Sequence, residues 1–365
     1  MASDSKGRVA EWIRPEIAAL SSYHVQPAAG MIKLDAMENP FPWPGDLQAR
    51  WQEQLGTLAL NRYPDPKASR LEKKVRDYFG VPESLSLLFG NGSDELIQIM
   101  AMALAGADRT ILAPEPGFVM YGMIARFVGM NYVGVPLRED FGLDLTAMKS
   151  RIAQADPALV FLAQPNNPTG NVFDMGATRQ IIEAVNGLVV IDEAYLPFTE
   201  SDHLSLASEY DNVVVMRTFS KMGLAGLRLG ILIGKPAWLG EFDKVRLPYN
   251  INTLTQLSAE FALDQVRVLE DQADKLKSER ARLFDLLNQL PGVTPYPSEA
   301  NFILIRLAES KNARGLFDAM KQRGVLVKCL DGGHPLLMNC LRLTVGTGSE
   351  NDAMIQALAQ ALGQD

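Results

Sequence analysis

Cysteine and histidine are scarce in this sequence of 365 residues. It contains two cysteines, Cys329 and Cys340, close together near the C-terminus, and three scattered histidines. So few thiols and imidazoles exclude a disulfide framework and the usual zinc-binding patterns. We therefore expect two reduced, structural cysteines and no metal site.

Long apolar runs and an excess of basic residues are also missing. No uninterrupted apolar stretch approaches the roughly 20 residues that cross a bilayer, and residues 1–16 carry charges throughout, unlike a secretory signal. The formal net charge is −8 and the isoelectric point is about 5.1. Such an acidic protein is a poor ligand for nucleic acid or an anionic membrane. We expect a cytoplasmic protein that binds neither.

Short apolar runs alternate with helical segments between residues 85 and 235. Each run has the length of a buried strand, and the segments between several of them repeat apolar residues with the period of a helix. This alternation predicts an α/β fold with a mainly parallel seven-stranded sheet, covered by helices on both faces. The predicted strands are SLLFG (86–90), TILAPE (110–115), NYVGVPL (131–137), ALVFLAQ (158–164), GLVVIDEAY (187–195), NVVVM (212–216) and LRLGILIG (227–234).

The length and proline content of the chain predict its division into domains. A chain of this length favours one large and one smaller domain. The proline-rich residues 37–46 are typical of an extended connection after an N-terminal arm. Residues 254–290 keep helical spacing throughout, which predicts a long linking helix, broken once. We predict an arm over 1–45, a large domain over 46–252, and a linking helix with a smaller C-terminal α/β domain over 253–365.

Unusual polar residues follow four of the predicted strands, at the edge where doubly wound sheets bind ligands. Glycines precede Ser93 and Asp94 at a helix start, which suits a phosphate group. Each feature also has a structural explanation: a glycine turn with Ser93 as the helix N-cap, a proline turn, or a helix-capping aspartate. The segments are GNGSDEL (90–96), QPNNPTG (164–170), Asp192 after GLVVI, and TFSKMGLAGLRLG (218–230).

Together, these residues describe a site for pyridoxal 5′-phosphate. That cofactor needs a lysine amine for its covalent link, a carboxylate at its ring nitrogen, donors at its phenolic oxygen and a cluster of phosphate ligands. Lys221, Asp192 and Asn167 match the first three needs, and the glycine turn at residues 90–96 matches the fourth. The combination is specific, whereas each part alone is not.

Nine motifs in a familiar order extend over nearly the whole chain. They are IRPEIAALSSYHV (13–25), KLDAMENPFPWP (33–44), NRYPDP (61–66), GNGSDELI (90–97), PNNPTG (165–170), VIDEAY (190–195), RTFSKMGLAGLRLG (217–230), ANFIL (300–304) and LRLTVGT (341–347). With these motifs the chain resembles the fold-type I pyridoxal-phosphate-dependent aminotransferases. Within them it is similar to the histidinol-phosphate aminotransferase family.

The resemblance implies roles for the residues around the cofactor. Lys221 matches the Schiff-base lysine and Asp192 the partner of the ring nitrogen. Asn167 and Tyr195 match the residues that hold the phenolic oxygen. Phe118 matches the aromatic residue that stacks on the ring, where many relatives have tyrosine. The implied phosphate ligands are the backbone of Gly92, Ser93 and Asp94 and the side chains of Thr218, Ser220 and Arg228.

The resemblance also implies substrate-binding residues and a homodimer. Arg342 matches the arginine that binds the α-carboxylate, since its planar fork suits a carboxylate. Tyr23 matches an arm residue near the substrate side chain, and Tyr249 matches a pocket residue, although a packing role explains it nearly as well. Lys328 departs from the family, which commonly has an arginine there for the substrate phosphate. Tyr63 matches a tyrosine that reaches the cofactor phosphate of the neighbouring subunit.

The implied reaction converts histidinol phosphate and 2-oxoglutarate into imidazole acetol phosphate and glutamate, a step of histidine biosynthesis. Two other enzymes with the same scaffold stay open. Lys328 in place of arginine favours an aromatic or broad-specificity aminotransferase, and a phosphothreonine-type decarboxylase is the second alternative. We do not expect a regulatory protein of related fold, because it would usually carry a DNA-binding helical module in front.

Overall fold

The computed structural model describes residues 2–22, 25–106 and 108–363. The strands within these ranges form three separate sheets. Their bounds are β1 (Ile32–Lys33), β2 (Ser86–Asn91), β3 (Thr110–Glu115), β4 (Asn131–Pro136), β5 (Leu159–Ala163), β6 (Leu188–Asp192), β7 (Val213–Thr218), β8 (Leu229–Gly234), β9 (Val293–Pro295), β10 (Phe302–Leu307), β11 (Val325–Leu326), β12 (Lys328–Cys329) and β13 (Cys340–Thr344).

Helices connect most of these strands. The α-helices are α1 (Ala2–Trp12), α2 (Pro15–Ala18), α3 (Gly45–Leu55), α4 (Ser69–Phe79), α5 (Gly92–Leu104), α6 (Met120–Val128), α7 (Leu145–Ala155), α8 (Met175–Ala184), α9 (Leu204–Glu209), α10 (Pro236–Asp243), α11 (Thr253–Asp264), α12 (Val266–Asn288), α13 (Ala313–Gln322) and α14 (Gly348–Ala361). A π-helical turn spans Ser220–Leu224, and 3₁₀ turns span Leu196–Phe198, Ala225–Leu227 and Pro335–Leu337. Among the described helices, none combines the length and apolarity of a membrane span.

The largest sheet has seven strands in the order β2-β8-β7-β6-β5-β3-β4. The strands from β7 to β4 are parallel to their neighbours, whereas β8 is antiparallel to both β2 and β7. All seven strands that the sequence predicts are present, and the predicted fold class is confirmed. The carboxyl ends of β2, β3, β5, β6 and β7 consequently lie along one edge of the sheet.

The central strands are apolar on both faces because helices cover both. In β5, Val160 and Leu162 belong to one buried cluster, whereas Leu159 and Phe161 belong to another. Successive side chains of a strand point to opposite faces, so each cluster lies on one side of the sheet. Helices α7 and α8 contribute to the first cluster, and α5 and α6 to the second. Burial on both sides fixes the register of the strands and hence the positions of the residues that follow them.

The second sheet has four antiparallel strands in the order β12-β13-β10-β9. Its apolar cluster includes residues of α13 and α14, and also Leu34 and Met37 from the segment before α3. That segment pairs with the C-terminal region as well, because β1 is parallel to β11. The predicted helix over 254–290 is confirmed with its one break, which lies at Gln265 between α11 and α12. The predicted domain boundaries stay a prediction.

Candidate active site

A cavity lies at the carboxyl edge of the seven-stranded sheet. It is formed where β5, β6 and β7 end beside the start of α5, so residues far apart in sequence meet there. Most of the predicted cofactor residues line it, together with Met37 from the segment before α3. The predicted residues in its wall are Ser93, Asp94, Phe118, Asn167, Asp192, Tyr195, Thr218, Ser220, Lys221 and Arg228.

The start of α5 lies at one end of this cavity. Gly92 has a left-handed φ of +77°, and a Cβ atom added there would lie 2.6 Å from Nη2 of Arg228. A Cβ added at Gly230 would lie 2.6 Å from the backbone carbon of Gly92. Both glycines therefore let the backbone of β8 and Arg228 approach the helix end closely. The first N–H groups of a helix have no intrahelical partner, so this end favours an anion.

Hydroxyl groups surround the same end of the cavity. Thr218 Oγ1 lies 3.0 Å from Ser220 Oγ. Ser93 is the second residue of α5, which excludes its alternative explanation as the N-cap, because Asn91 has that position. Ser93 Oγ is buried and has no hydrogen-bond partner among the described residues. A buried hydroxyl without a partner is costly, so this atom favours a bound ligand with acceptor oxygens.

Arg228 is held above this end in an unusual backbone conformation. Its φ is +49°, which is left-handed and rare for residues other than glycine. Its guanidinium group lies 3.4 Å from the carboxylate of Asp94, and both side chains are about half exposed. An exposed ion pair of this kind is weak. The guanidinium can therefore exchange Asp94 for a more strongly charged anion at little cost.

Asp192 ends β6 on the floor of the cavity and is buried. Its Oδ2 accepts a hydrogen bond of 2.6 Å from the hydroxyl of Tyr121, and its Oδ1 accepts one of 3.1 Å from the backbone N–H of Ala194. Burial raises the pKa of Asp192 to about 6, against the lowering effect of these two donors. A cationic partner in the cavity would stabilise the carboxylate.

Lys221 belongs to the π-helical turn after β7, and its side chain enters the cavity. Its Nζ donates a hydrogen bond of 3.1 Å to the carbonyl of Ala36. Burial, with the positive charge of Arg342 nearby, lowers the pKa of Lys221 to about 8. A substantial fraction of this amine is consequently neutral near physiological pH, as a nucleophile or base requires.

A chain of hydrogen bonds connects Arg342 to Tyr195 at the other side of the cavity. Arg342 Nη1 donates to Asn167 Oδ1 at 2.5 Å, and Asn167 Nδ2 donates to the hydroxyl of Tyr195 at 3.2 Å. Arg342 Nη2 also donates to the carbonyl of Asp35 at 2.9 Å. Burial raises the pKa of Tyr195, so its hydroxyl stays protonated. The chain fixes the amide of Asn167 and the phenol of Tyr195 toward one edge of the cavity.

A second cavity opens beside the first and shares Met37, Phe118 and Asn167 with it. Arg342 and Lys328 both line this second cavity, and they face each other across the β12–β13 ladder. Neighbouring side chains on paired strands are within reach of one ligand. The structure therefore brings both predicted substrate-binding cations to one place.

Two predicted tyrosines within the described part of the chain, Tyr63 and Tyr249, do not line either cavity. Tyr63 and Tyr249 stack on each other with ring centroids 4.5 Å apart. Both are on the surface, with exposed fractions of 81% and 40%. Tyr23 lies outside the described residues.

The similarity of this chain to known proteins agrees with this geometry. The family described as aminotransferase class I and II matches residues 29–360. The chain belongs to this aminotransferase family. It is 54% identical over 354 residues to histidinol-phosphate aminotransferase 2 of Nitrosococcus oceani, covering 97% of this chain and 98% of that one.

Solved structures show the same fold for this aminotransferase. A histidinol-phosphate aminotransferase from Sinorhizobium meliloti, in complex with pyridoxal 5′-phosphate, has a TM-score of 0.85 at 24% identity, over 96% of this chain and 98% of that one. An L-threonine-O-3-phosphate decarboxylase from Porphyromonas gingivalis has a TM-score of 0.77 at 23% identity, over 91% and 99%. Since both enzymes share the fold, the fold alone does not separate the two reactions.

The residues of the aminotransferase cavity fit pyridoxal 5′-phosphate, the cofactor of this family. The helix end with Ser93 and the glycines suits a phosphate group, and the unpartnered Oγ of Ser93 is a donor for it. Asp192 suits a protonated ring nitrogen, and Lys221 has the lowered pKa of a reactive amine. Each need of the cofactor meets a matching group in one cavity.

Sequence reasoning missed Tyr121 and Met37. Tyr121 lies three residues after Phe118, in the first turn of α6, whereas Phe118 precedes that helix. Its nearness in sequence to a predicted cofactor residue was a usable signal. Met37 gave no signal, because it reaches the cavity through the pairing of its segment with the C-terminal region.

Proposed function

We propose that this aminotransferase interconverts histidinol phosphate and 2-oxoglutarate with imidazole acetol phosphate and glutamate, a step of histidine biosynthesis. The observation that carries this proposal is the joint position of Arg342 and Lys328 beside the cavity that contains Lys221. Two cations on paired strands suit a doubly charged phosphate group better than one carboxylate. The 54% identity to an enzyme named for histidinol phosphate supports the same substrate.

In this proposal each cavity residue holds one part of the cofactor. Lys221 would form the covalent link, Asp192 would pair with the ring nitrogen, and Phe118 would stack on the ring. Asn167 and Tyr195 would donate hydrogen bonds to the phenolic oxygen. The phosphate ligands would be the backbone of Gly92, Ser93 and Asp94 with the side chains of Thr218, Ser220 and Arg228.

The bound cofactor supplies an aldehyde that accepts amino groups and a ring that withdraws electrons from the substrate. Once the substrate amine has replaced the covalent link of Lys221, the released Nζ atom would act as the base that takes the proton from the substrate Cα. Its pKa of about 8 makes the neutral amine available near neutrality. Asp192 holds the proton on the ring nitrogen, which keeps the ring electron-withdrawing. The cavity walls hold the reacting atoms together, which lowers the entropic cost of the transfer.

The substrate groups are assigned by their charge. Histidinol phosphate has a phosphorylated hydroxymethyl group in the position where an amino acid has its carboxylate. We assign the carboxylate of glutamate to Arg342 and the phosphate of histidinol phosphate to Lys328 with Arg342 beside it. A lysine binds phosphate as a point charge, without the fork of an arginine.

We also propose a homodimer. Tyr63 and Tyr249 form an exposed aromatic pair outside the cavities of their own chain. Tyrosine is enriched at protein interfaces. We assign Tyr63 to the cofactor phosphate of the partner subunit and Tyr249 to the substrate pocket. Tyr23 is assigned to the substrate side chain. The predicted arm, large and small domains and the cytoplasmic location are part of the same proposal.

A broad-specificity or aromatic aminotransferase is the second candidate function. Lys328 favours it, because one flexible ammonium group selects phosphate less strongly than an arginine. A phosphothreonine-type decarboxylase would release carbon dioxide without exchanging an amino group with a keto acid.

A spectral half-reaction tests the proposal. Purified holoenzyme is mixed with histidinol phosphate, phenylalanine, tyrosine and glutamate in turn, and the loss of the cofactor absorption band is followed. We expect histidinol phosphate to react fastest among the first three. Faster reaction with phenylalanine or tyrosine would establish the second candidate. Carbon dioxide release from phosphothreonine would establish the decarboxylase.

A further inference from the structure

Tyr121 makes the shortest polar contact of Asp192, yet the assigned cofactor residues do not include it. It lies in the first turn of α6, and 2% of its surface is exposed. Its hydroxyl donates to Asp192 Oδ2 at 2.6 Å, a distance typical of a hydrogen bond to a charged acceptor. The backbone N–H of Ala194 donates to the other oxygen, Oδ1. Both oxygens of the carboxylate are therefore oriented by donors.

The ring of Tyr121 is fixed by aromatic neighbours. It stacks on Phe161 of β5 with centroids 4.2 Å apart and an interplanar angle of 7°. Phe118 contacts it edge to face at 5.5 Å. Such contacts lock both side-chain torsions of a tyrosine. The hydroxyl position is consequently set by the sheet and not by the hydrogen bond alone.

The hydroxyl of Tyr121 serves as a donor throughout the physiological pH range. Burial, together with the negative charge of Asp192, raises the pKa of Tyr121 well above its usual value. A neutral phenol beside a carboxylate stabilises the ionised form of that carboxylate and makes it a weaker base. This effect opposes the burial that raises the pKa of Asp192.

We propose that Tyr121 is a positioning residue that keeps Asp192 ionised, so that the proton between Asp192 and the cofactor remains on the ring nitrogen. Without the phenol, the buried carboxylate becomes more basic and takes a larger share of that proton. The electron-withdrawing power of the ring then falls. The inference rests on the proposed placement of the ring nitrogen at Asp192.

The test uses cofactor labelled with nitrogen-15 in its ring, and no substrate. Wild type, Tyr121→Phe and Tyr210→Phe are reconstituted, and the ring nitrogen resonance is measured at neutral pH. Tyr210 is the matched control, because this half-buried tyrosine also donates to a carboxylate, that of Glu183 at 3.1 Å, but does not line either cavity. In Tyr121→Phe we expect the ratio of nitrogen-bound to carboxyl-bound proton to fall about tenfold or more, moving the resonance toward the unprotonated position.

The possible outcomes distinguish a failure of the role proposed for Tyr121 from a failure of the proposed placement of the cofactor ring at Asp192. An unchanged resonance in Tyr121→Phe, with native stability of the apoprotein in urea, overturns the role of Tyr121. A resonance that moves equally in Tyr210→Phe also overturns it. Asp192→Asn tests the basis: if its resonance equals that of wild type, the ring nitrogen is not at Asp192 and the proposed cofactor placement fails. Phenylalanine at position 121 preserves the ring stacking, so we expect the variant to fold.

Discussion

The cofactor end and the substrate end of the active site are built differently. Asp192 and Thr218 are the last residues of buried parallel strands, and Lys221 follows within three residues. At the proposed substrate end, by contrast, Lys328 is half-buried on a two-residue strand, although its neighbour Arg342 is buried in β13. A residue at the end of a fully buried strand cannot move without disturbing the core. If the proposed roles hold, the core fixes the catalytic groups and Arg342, whereas Lys328 lies on an element that can change at little cost.

The two central groups at the cofactor end also have shifted pKa values, both because of burial. The pKa of Asp192 is raised to about 6 and that of Lys221 is lowered to about 8. Burial disfavours the charged form of either group, so the shifts have opposite signs. The charged forms of both groups are therefore destabilised by burial. A bound partner of opposite charge would stabilise the carboxylate of Asp192, and a covalent link would remove the charge of Lys221.

The largest expected effect comes from removing the reactive amine. Lys221→Ala should reduce turnover by at least about 10²-fold, since the base and the covalent link are both lost. The variant should stay folded, because deleting a buried cation removes a desolvation cost. Turnover of glutamate measures the activity of the variant, and near-ultraviolet circular dichroism measures whether it is folded. Lys244→Ala, an exposed lysine paired with Glu241, is the control. Turnover above about a hundredth of wild type would remove Lys221 from its assigned role.

Measuring the free energy of unfolding as a function of pH tests how strongly the core constrains Asp192 at the cofactor end. The pKa of Asp192 is raised from 3.8 to about 6 in the folded apoprotein. The folded state therefore binds the proton more strongly than the unfolded state. The resulting stabilisation is complete below about pH 4 and disappears as the pH rises through 6.

Asp192→Asn removes this pH dependence. Relative to this variant, apo wild type should gain about 2.4 kcal/mol in free energy of unfolding between pH 7 and pH 4, at 1.36 kcal/mol for each pKa unit. Urea titrations of both proteins at several pH values measure the difference. A constant difference across this range contradicts the assigned cost of burying the carboxylate.

A methyl group added at Gly92 is predicted to weaken cofactor binding at the phosphate end of the cavity. In Gly92→Ala the new Cβ would lie 2.6 Å from the Arg228 guanidinium, and the φ of +77° disfavours alanine. The left-handed strain of about 1–2 kcal/mol lowers the stability of apo and holo protein alike. The new Cβ would push the half-exposed Arg228 guanidinium away from the helix end, and the loss of its contact with the cofactor phosphate should raise the cofactor dissociation constant about tenfold. Gly240→Ala is the control, because nothing lies within 4 Å of its Cβ position. Equal dissociation constants in a fluorescence titration would show that the cofactor phosphate does not bind at this helix end.

Most of the fold could be predicted from the sequence because buried parallel strands leave a clear pattern. The apolar run before Asp192 fixed β6 within a few residues, and residues 254–290 gave α11, α12 and their break. Short strands leave no such pattern, and β9, at three residues, was not predicted.

The two parts of the site were predictable to different extents. At the cofactor end, each polar residue directly follows an apolar strand in the sequence. Its position in the site could therefore be predicted from one segment alone. The hydrogen bond from Tyr121 to Asp192 joins residues 71 positions apart, and the path from Arg342 through Asn167 spans 175. Contacts between distant segments leave no trace in either segment alone. The position of Ser93 inside α5, and not at its N-cap, also required the structure.

The smallest expected effect is at the substrate end. Lys328→Ala should raise the KM for histidinol phosphate about fivefold, since a half-buried ammonium group contributes only about 1 kcal/mol to phosphate binding. The KM for phenylalanine, which has no phosphate, should be unchanged. Lys328→Arg should lower the KM for histidinol phosphate, because a fork replaces a point charge. Lys277→Ala, on the surface of α12, is the control. Equal KM changes for both substrates would place the phosphate elsewhere, and the second cavity would then select substrates by shape rather than by charge.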